Sequence, residues 1–301
     1  MADVTEDLDE SEVKPPSGES SRTKFPLDDC DISKVSDETL TALFDTAPVL
    51  HSYEGTHVVR LSQTLILKGG INARPCEASI LKLVSAKGGS TIAVPKVHRV
   101  LNIETKNVYF GCKCLLVMDF VEGRSVEECW EHLSEAERVD VVAQVASMIT
   151  TLQSIPVPQQ QPGPVSCRTC LARGFWFTGM GAGPFGSKEE LEAWFNHKLA
   201  ICKNFKQAPE TVPPLHFDKL VLTHQDIAPR NLILGPDCKV WLIDWGDAGI
   251  YPEEFEVASL NARRFSAPVF TDMLLEMIPK HEEMVQQLEW TMFALTTGQY
   301  L

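Results

Sequence analysis

Residues 222–231 read Leu-Thr-His-Gln-Asp-Ile-Ala-Pro-Arg-Asn, and residues 243–246 read Ile-Asp-Trp-Gly. In the first stretch, His224, Asp226 and Asn231 form the pattern His-x-Asp-x-x-x-x-Asn. In the second stretch, Asp244 opens an Asp-x-Gly pattern. Each pattern follows a short run of apolar, β-favouring residues. The spacing therefore predicts polar loops at the ends of two adjacent strands.

These residue types suit phosphoryl transfer, which needs positioning and charge neutralisation more than covalent chemistry. Asp226 would orient an acceptor hydroxyl and take its proton. Mg²⁺ prefers hard oxygen ligands, and Asn231 and Asp244 would supply them beside the ATP phosphates. Each residue alone also has a structural interpretation, since His224 would brace the loop and Asn231 would cap a turn. The combined spacing favours the catalytic interpretation.

The same stretches carry a family resemblance. Residues 224–231, 243–249 and 251–256 resemble the aminoglycoside phosphotransferase family. They are most similar to a fungal branch of phosphotransferase enzyme family proteins, relatives of choline and homoserine kinases. The resemblance extends over about residues 50–260. It implies an α+β, protein-kinase-like fold of two lobes that hold ATP and Mg²⁺ between them.

The resemblance also implies residues that bind the nucleotide. A lysine on a strand and a glutamate on the next helix should hold the phosphates, and Lys68 and Glu77 match these positions. Without the downstream motifs, Lys68 would be a solvated lysine and Glu77 a favourable charge in the first turn of a helix. Lys82, inside that helix, is a weaker rival for the lysine role. The backbone near Asp119 and Val121 matches the family's hinge, which would hold adenine.

The chain departs from the family pattern at several points. No Gly-x-Gly-x-x-Gly loop is present, and residues 60–65 take its place. Arg230 either contacts the γ-phosphate or the acceptor, or is a surface arginine. Arg263 and Arg264 are interpreted as a surface salt-bridging pair. Four carboxylates after the second motif form either a negative wall suited to a cationic acceptor or an acid-rich surface turn; they are Asp247, Glu253, Glu254 and Glu256.

The segment after Asp244 bears on the acceptor. The chain reaches residues 251–256 without a long activation segment or an Ala-Pro-Glu motif, which argues against a protein substrate. We therefore expect a small-molecule O-kinase whose acceptor carries a hydroxyl group. The alternative is a non-catalytic, kinase-like binding or scaffold module, whose mark would be loss of Lys68, Asp226 or Asp244. A protein kinase is the third candidate.

Composition and periodicity divide the chain into three zones. Residues 1–30 are acidic and rich in Pro and Ser, and are predicted to be a disordered tail. Residues 31–121 are predicted to form a β-rich, nucleotide-binding N-lobe, and residues 122–301 a helical C-lobe with the catalytic loop and the acceptor site. Strands are expected at 57–61, 64–68, 94–100, 108–110, 114–121, 220–224, 231–234 and 239–244, and helices at 36–48, 77–84, 126–133, 135–155, 187–205 and along most of 252–301.

Whole-chain composition argues against some partners. The chain has 301 residues and a net charge of −14, the wrong sign for a protein that binds nucleic-acid phosphates. It shows neither an apolar signal sequence nor an apolar run long enough to span a bilayer, so no membrane partner is expected. The cysteines are irregularly spaced, and Cys167 and Cys170 are expected to be free thiols in a reducing, cytoplasmic setting.

Overall fold

An antiparallel five-stranded sheet forms the N-terminal part of the structure. The computed structural model describes residues 24–53, 55–70, 73–103, 113–157, 160–167 and 169–300. The strands of this sheet are β1 (Val49–Tyr53), β2 (Thr56–Arg60), β3 (Leu65–Gly70), β4 (Val97–Ile103) and β5 (Lys113–Asp119). They lie in the order β1-β2-β3-β5-β4, so β5 is placed between β3 and β4.

The predicted hairpin is formed by β2 and β3. Val59 pairs with Leu67 across it, and both side chains are fully buried. The sequence did not predict β1, whose five side chains are all exposed. Burial therefore imposes no alternation of polar and apolar residues on that strand, and the usual signal is missing. The predicted strand at 108–110 lies outside the described residues.

Both faces of the sheet are covered. Along β5, Leu116 belongs to one buried cluster and Leu115 to another, as expected for side chains that alternate between two faces. The helix α2 (Pro75–Lys87) packs on the first face. The helix α1 (Asp37–Thr46) contributes Leu40 to the cluster on the second face.

The predicted tail ends earlier than expected. Leu27 is 7% exposed and packs in the same cluster as Leu40. Its backbone N donates to Leu61 O at 2.8 Å, and Asp28 accepts a hydrogen bond from Gln63 N at 2.8 Å. The boundary predicted after residue 30 is therefore wrong, because residues 24–30 dock on the sheet. Composition averaged over thirty residues conceals a single docking leucine.

Helices are the main regular structure in the rest of the described chain, which also has two small antiparallel sheets. Ser134 and Glu137 form a capping box, in which each side chain accepts a hydrogen bond from the other's backbone N–H. The helices are α3 (Val126–Cys129), α4 (Glu135–Ser154), α5 (Lys188–Asn204), α6 (Glu254–Ala262), α7 (Pro268–Leu275), α8 (Glu282–Glu289) and α9 (Met292–Leu295). The strands are β6 (Arg124–Ser125), β7 (Leu220–Thr223), β8 (Leu232–Leu234), β9 (Val240–Leu242) and β10 (Gly249–Pro252).

One continuous hydrophobic core joins the sheet to the helices. It includes Val84 of α2 and Leu116 of β5 together with Trp176, Phe195 and Phe255 of the helical part. Aromatic rings dominate its centre, and Phe195 meets Phe255 edge to face at 5.5 Å. The predicted α+β architecture, a β-rich lobe and a helical lobe, is confirmed.

One cysteine prediction is wrong. Cys167 and Cys170 form a disulfide bond, with Cα atoms 5.4 Å apart, within the usual range for such a bond. The short spacing of the two residues in a loop brings them together. Along the described ranges, no helix is both long and apolar enough to cross a membrane.

Candidate active site

A buried ion network joins β3, α2 and the loop after β9. Lys68 Nζ donates to Glu77 Oε1 at 2.6 Å and to Asp244 Oδ1 at 2.7 Å. Lys68 and Glu77 are 6% and 1% exposed, whereas the Asp244 side chain is 46% exposed. The structure thus brings these three predicted residues together. It leaves Lys82, the rival lysine, exposed on the outer face of α2.

The network keeps its lysine charged. Burial opposes the charge on Lys68, but the Glu77 and Asp244 carboxylates outweigh this effect, so the pKa of Lys68 lies above its ordinary value. Burial raises the pKa of Glu77 in spite of the nearby lysine. Burial also disfavours ionised Asp244, yet the charge of Lys68 holds the pKa of Asp244 below its usual range. A charged lysine therefore lies beside a half-exposed carboxylate.

His224 braces the loop that follows β7. Its Nε2 lies 3.1 Å from Ile243 O, and its Nδ1 accepts a hydrogen bond from Asp226 N at 3.2 Å. These partners assign the neutral tautomer with the proton on Nε2. Burial lowers the pKa of His224 to about 4, so the ring stays neutral at pH 7. The histidine ties the two motif loops to each other.

Asp226 is held by three donors. Asn231 Nδ2 donates to Asp226 Oδ2 at 2.7 Å and to Asp226 O at 2.8 Å. Arg230 donates to Asp226 Oδ1 at 2.5 Å, and Arg263, just after α6, donates to the same oxygen. Asp226 therefore combines a fixed orientation with a side chain that is still 16% exposed.

Arg263 was not predicted to belong to this site. Its interpretation as half of a surface pair is wrong, because only Arg264 makes a surface ion pair, with Asp272. Arg263 turns inward, donates to Gln225 O at 2.7 Å and stacks over Phe175 at 5.0 Å. The sequence held no signal for this role, since two adjacent arginines carry no periodic pattern.

Asn231 and Asp244 offer oxygen atoms to a metal ion. Ile243 N donates to Asn231 O at 3.0 Å, so the two loops are adjacent. Asp226 engages Asn231 Nδ2, and Asn231 Oδ1 receives no hydrogen bond from the described residues. This hard-oxygen pair fits Mg²⁺. In the ranges that the structure covers, no group of three or more His, Cys, Asp or Glu side chains could hold a metal ion.

A buried glutamate binds the backbone of the loop that follows β7. Glu256 accepts hydrogen bonds from His224 N at 2.6 Å and Gln225 N at 3.0 Å. Burial raises the pKa of Glu256 to about 7. Glu254 is buried as well, so neither carboxylate can line the proposed negative wall. The sequence offered one sign of this role: Glu256 is a charged residue next to apolar Phe255 in a helix that is mostly buried.

The predicted hinge lies at the end of β5. The Asp119 carboxylate accepts a hydrogen bond from Lys96 N at 3.0 Å and pairs with His98 Nε2 at 2.7 Å. The Asp119 N–H is also engaged, since it donates to Lys96 O at 3.0 Å. Within the described residues, the backbone of Val121 has no hydrogen-bond partner. Val121 therefore presents the backbone that is available to a ligand at this edge.

The turn between β2 and β3 is tied down by an arginine instead of being rich in glycine. Arg60 is 6% exposed, and its guanidinium donates to Ser62 O at 2.5 Å and to Gln63 O at 2.7 Å. The same guanidinium lies 3.1 Å from the centre of the Phe120 ring, next to the hinge. Arg60 thus connects the turn to the hinge.

Comparisons with known proteins agree with this geometry. The model of the "Phosphotransferase enzyme family" matches residues 67–278. The GDP and kanamycin complex of APH(2")-IIia has a TM-score of 0.54 at 11% identity, with 87% of this chain and 84% of that chain covered. Aminoglycoside phosphotransferase APH(4)-Ia has a TM-score of 0.53 at 14% identity, with 88% and 92% covered. The GDP complex of wild-type aminoglycoside 2'-phosphotransferase-IIIa has a TM-score of 0.53 at 12% identity, with 84% and 85% covered. No curated protein matches the sequence.

Proposed function

Since the chain belongs to the phosphotransferase enzyme family, we propose that it is an ATP- and Mg²⁺-dependent kinase that phosphorylates a hydroxyl group of a small molecule. The observation that carries the proposal is the ion network of Lys68, Glu77 and Asp244, whose ends lie 176 positions apart in sequence. Stability alone does not require such a network, because well-packed apolar side chains of similar volume often stabilise a core at least as much as a buried ion pair. A fixed, buried cation is needed, by contrast, to hold phosphate groups.

Each lobe contributes part of the proposed nucleotide site. Lys68 holds the ATP phosphates, and Glu77 holds Lys68 in place. The backbone near Asp119 and Val121 binds the adenine edge, with Val121 as the available partner. Bound between Asn231 and Asp244, Mg²⁺ would neutralise phosphate charge.

Asp226 acts on the acceptor in this proposal. The acceptor's hydroxyl oxygen forms a bond to the γ-phosphorus as the bond between that phosphorus and the ADP oxygen breaks. The hydroxyl proton passes to Asp226. Asn231 and His224 keep the aspartate and its loop in position. Arg230 lies close enough to Asp226 to contact either the γ-phosphate or the acceptor.

A small acceptor fits the segment that follows Asp244. The strand β10 begins at Gly249 and pairs at once with β7, and α6 begins at Glu254. This connection has no room for the long activation segment with which protein kinases bind peptides. The similar structures include complexes of aminoglycoside phosphotransferases with kanamycin and with hygromycin B, which supports a small-molecule acceptor by analogy.

Mg-ATP binding and turnover test the proposal. The purified chain is titrated with Mg-ATP, and ADP release is measured with aminoglycosides, choline, ethanolamine, homoserine and sugars. Asp226→Ala should abolish transfer and keep Mg-ATP binding, whereas Asp244→Asn should weaken Mg-ATP binding. Asp218→Asn is the matched control, because Asp218 is 85% exposed.

The non-catalytic alternative makes the opposite forecast. A binding module would bind Mg-ATP and release no ADP with any of these acceptors. A scaffold module would show no saturable binding of Mg-ATP and no difference between the Asp244→Asn variant and its control. That result would overturn the kinase proposal. Mg-ATP binding that depends on Asp244, together with ADP release that depends on Asp226, would exclude the scaffold.

A further inference from the structure

Four arginines surround the acceptor side of the candidate site. Arg230 and Arg263 both donate to Asp226 Oδ1. Arg74, Arg173 and Arg263 lie within electrostatic range of a second carboxylate, Asp247; their charges come from the start of α2, the loop before α5 and the end of α6. Three separate parts of the chain thus place arginine side chains near Asp247.

Backbone contacts hold Arg173 next to the catalytic loop. Gln225 Nε2 donates to Arg173 O at 3.4 Å and to Asp247 O at 3.0 Å, so one side chain connects the catalytic loop to the loop before α5 and to the segment after Asp244. Gly174 permits this contact, because a Cβ there would lie 2.8 Å from Gln225 Oε1. The placement of Arg173 is therefore specified by packing.

Two of these guanidinium groups have no direct partner. Arg74 and Arg173 are partly buried, yet neither guanidinium group makes a hydrogen bond or a close ion pair with any residue in the described ranges. Burial lowers the pKa of Arg173, and the charge of Arg74 adds to this effect. Neither group is fully buried, so the donors of both guanidinium groups are open to the acceptor atoms of a ligand.

The charge balance favours an anion. The charge of Lys68 is already engaged by two carboxylates, Glu77 and Asp244. Four guanidinium groups then face two carboxylates, Asp226 and Asp247. This local excess of positive charge lies in a chain whose net charge is −14. A cationic acceptor would be repelled here, whereas an anionic one would be attracted.

Resting on the phosphotransferase function proposed above, we propose that the acceptor carries an anionic group, a carboxylate or a phosphate, which Arg173 and Arg263 bind beside the hydroxyl to be phosphorylated. The planar arginine fork suits both groups through paired hydrogen bonds. Arg74 adds to the field from the start of α2.

This recognition also frees the catalytic carboxylate. Without a substrate, both lone pairs of Asp226 Oδ1 are taken by Arg230 and Arg263. An acceptor anion that draws Arg263 away leaves a lone pair on Oδ1 for the acceptor's hydroxyl. Asp226 Oδ2 accepts one hydrogen bond, from Asn231, so release of Arg263 adds a second accepting site to the one already open on Oδ2.

Matched compounds that differ in the charge of one terminal group test the proposal. The first series is glucuronate, glucose and 6-amino-6-deoxyglucose, and the second is glycerate, glycerol and 3-amino-1,2-propanediol. Glycerol 3-phosphate distinguishes phosphate from carboxylate recognition. Binding to the full chain with Mg-ADP is measured by calorimetry, and ADP release is measured with Mg-ATP. The anionic member of a series should bind at least about tenfold more tightly than its neutral analogue, with the cationic member weakest.

Arginine variants assign the effect to named groups. Arg263→Gln and Arg173→Gln should each weaken binding of the anionic compound by about 10- to 100-fold and leave Kd for Mg-ATP within about twofold. Arg264→Gln is the control, since the adjacent Arg264 pairs with Asp272 on the surface. Arg263→Lys should recover only part of the affinity, because lysine cannot form the paired contact.

The outcomes separate this inference from the function on which it rests. If Mg-ATP binds and neutral or cationic members are preferred, or no member binds, the anionic acceptor is wrong and the kinase proposal stands. If Arg263→Gln weakens Mg-ATP as much as the acceptor, the arginines serve the nucleotide, and the inference again fails. If the chain does not bind Mg-ATP, both proposals fail together.

Discussion

Replacing the buried lysine separates its structural role from its catalytic one. Lys68→Met leaves the Glu77 carboxylate, which is 1% exposed, without its cation. Breaking a buried ion pair in this way costs about 3–5 kcal/mol, a large part of a folding stability of about 5–15 kcal/mol. The double variant Lys68→Met/Glu77→Leu removes both charges at similar volume and should recover to within about 1–2 kcal/mol of the parent chain.

Function should not recover in the double variant. Urea unfolding measures the free energies of the four chains of the cycle, and calorimetry measures Mg-ATP binding to each folded chain. We expect the double variant to fold nearly as stably as the parent and to bind no Mg-ATP. Lys82→Met is the control, because Lys82 is exposed on α2; it should change stability by less than about 0.5 kcal/mol and leave Mg-ATP binding intact.

Two results would refute this reasoning. A double variant as unstable as Lys68→Met would show that the unpaired glutamate is not the source of the destabilisation. A double variant that binds Mg-ATP normally would show that Lys68 does not hold phosphates. The second result would also remove the observation on which the proposed function depends.

Three further predictions concern the catalytic loop and the tail. His224→Gln should lower kcat at least about tenfold with Kd for Mg-ATP within about twofold, since the neutral ring only holds the loop; an unchanged kcat would contradict this. Burial raises the pKa of Glu256 from 4.5 to about 7. Between these two pH values the folded chain keeps a proton that the unfolded chain has released, so the free energy of unfolding falls as the pH rises. Measured by urea unfolding from pH 4.5 to 8, the Glu256→Gln variant should lack roughly 3 kcal/mol of this decline. If the free energies of unfolding of the variant and the parent differ by the same amount at every pH, the raised pKa is excluded. Leu27→Ala should lower the free energy of unfolding by about 2–4 kcal/mol, whereas deletion of residues 1–23 should leave it unchanged; equal effects would exclude docking of the segment.

Local patterns carried most of the information that the sequence held about the site. His224, Asp226 and Asn231 lie within one loop, so chain spacing alone limits how far apart they can be. Short apolar runs mark β8 directly after that loop and β9 just before Asp244, and hydrogen bonding between the two strands then brings Asp244 close to Asn231. Lys68 and Glu77 needed the family resemblance as well, since each has an ordinary interpretation when considered alone.

Residues that depend on distant contacts escaped prediction. Arg263 meets Asp226 across 37 positions, and Glu256 meets His224 across 32. The sequence around an arginine or a glutamate does not show whether its side chain faces water or a catalytic loop. Strand β1 was missed for a related reason, because a fully exposed edge strand has no buried face to impose alternation.

The sequence by itself determined the lobes, the two motif loops and the chemical types present at their tips, because these follow from periodicity and from short spacings along the chain. Only the tertiary structure decided which charges face each other. It buried Glu254 and Glu256, two of the four carboxylates that the sequence left open as a negative wall or a surface turn. It also placed Arg263 against Asp226 and Arg173 within electrostatic range of Asp247. The physical reason is that the side of a helix or loop that meets solvent depends on what packs against it, and that packing is formed by residues far away in the chain.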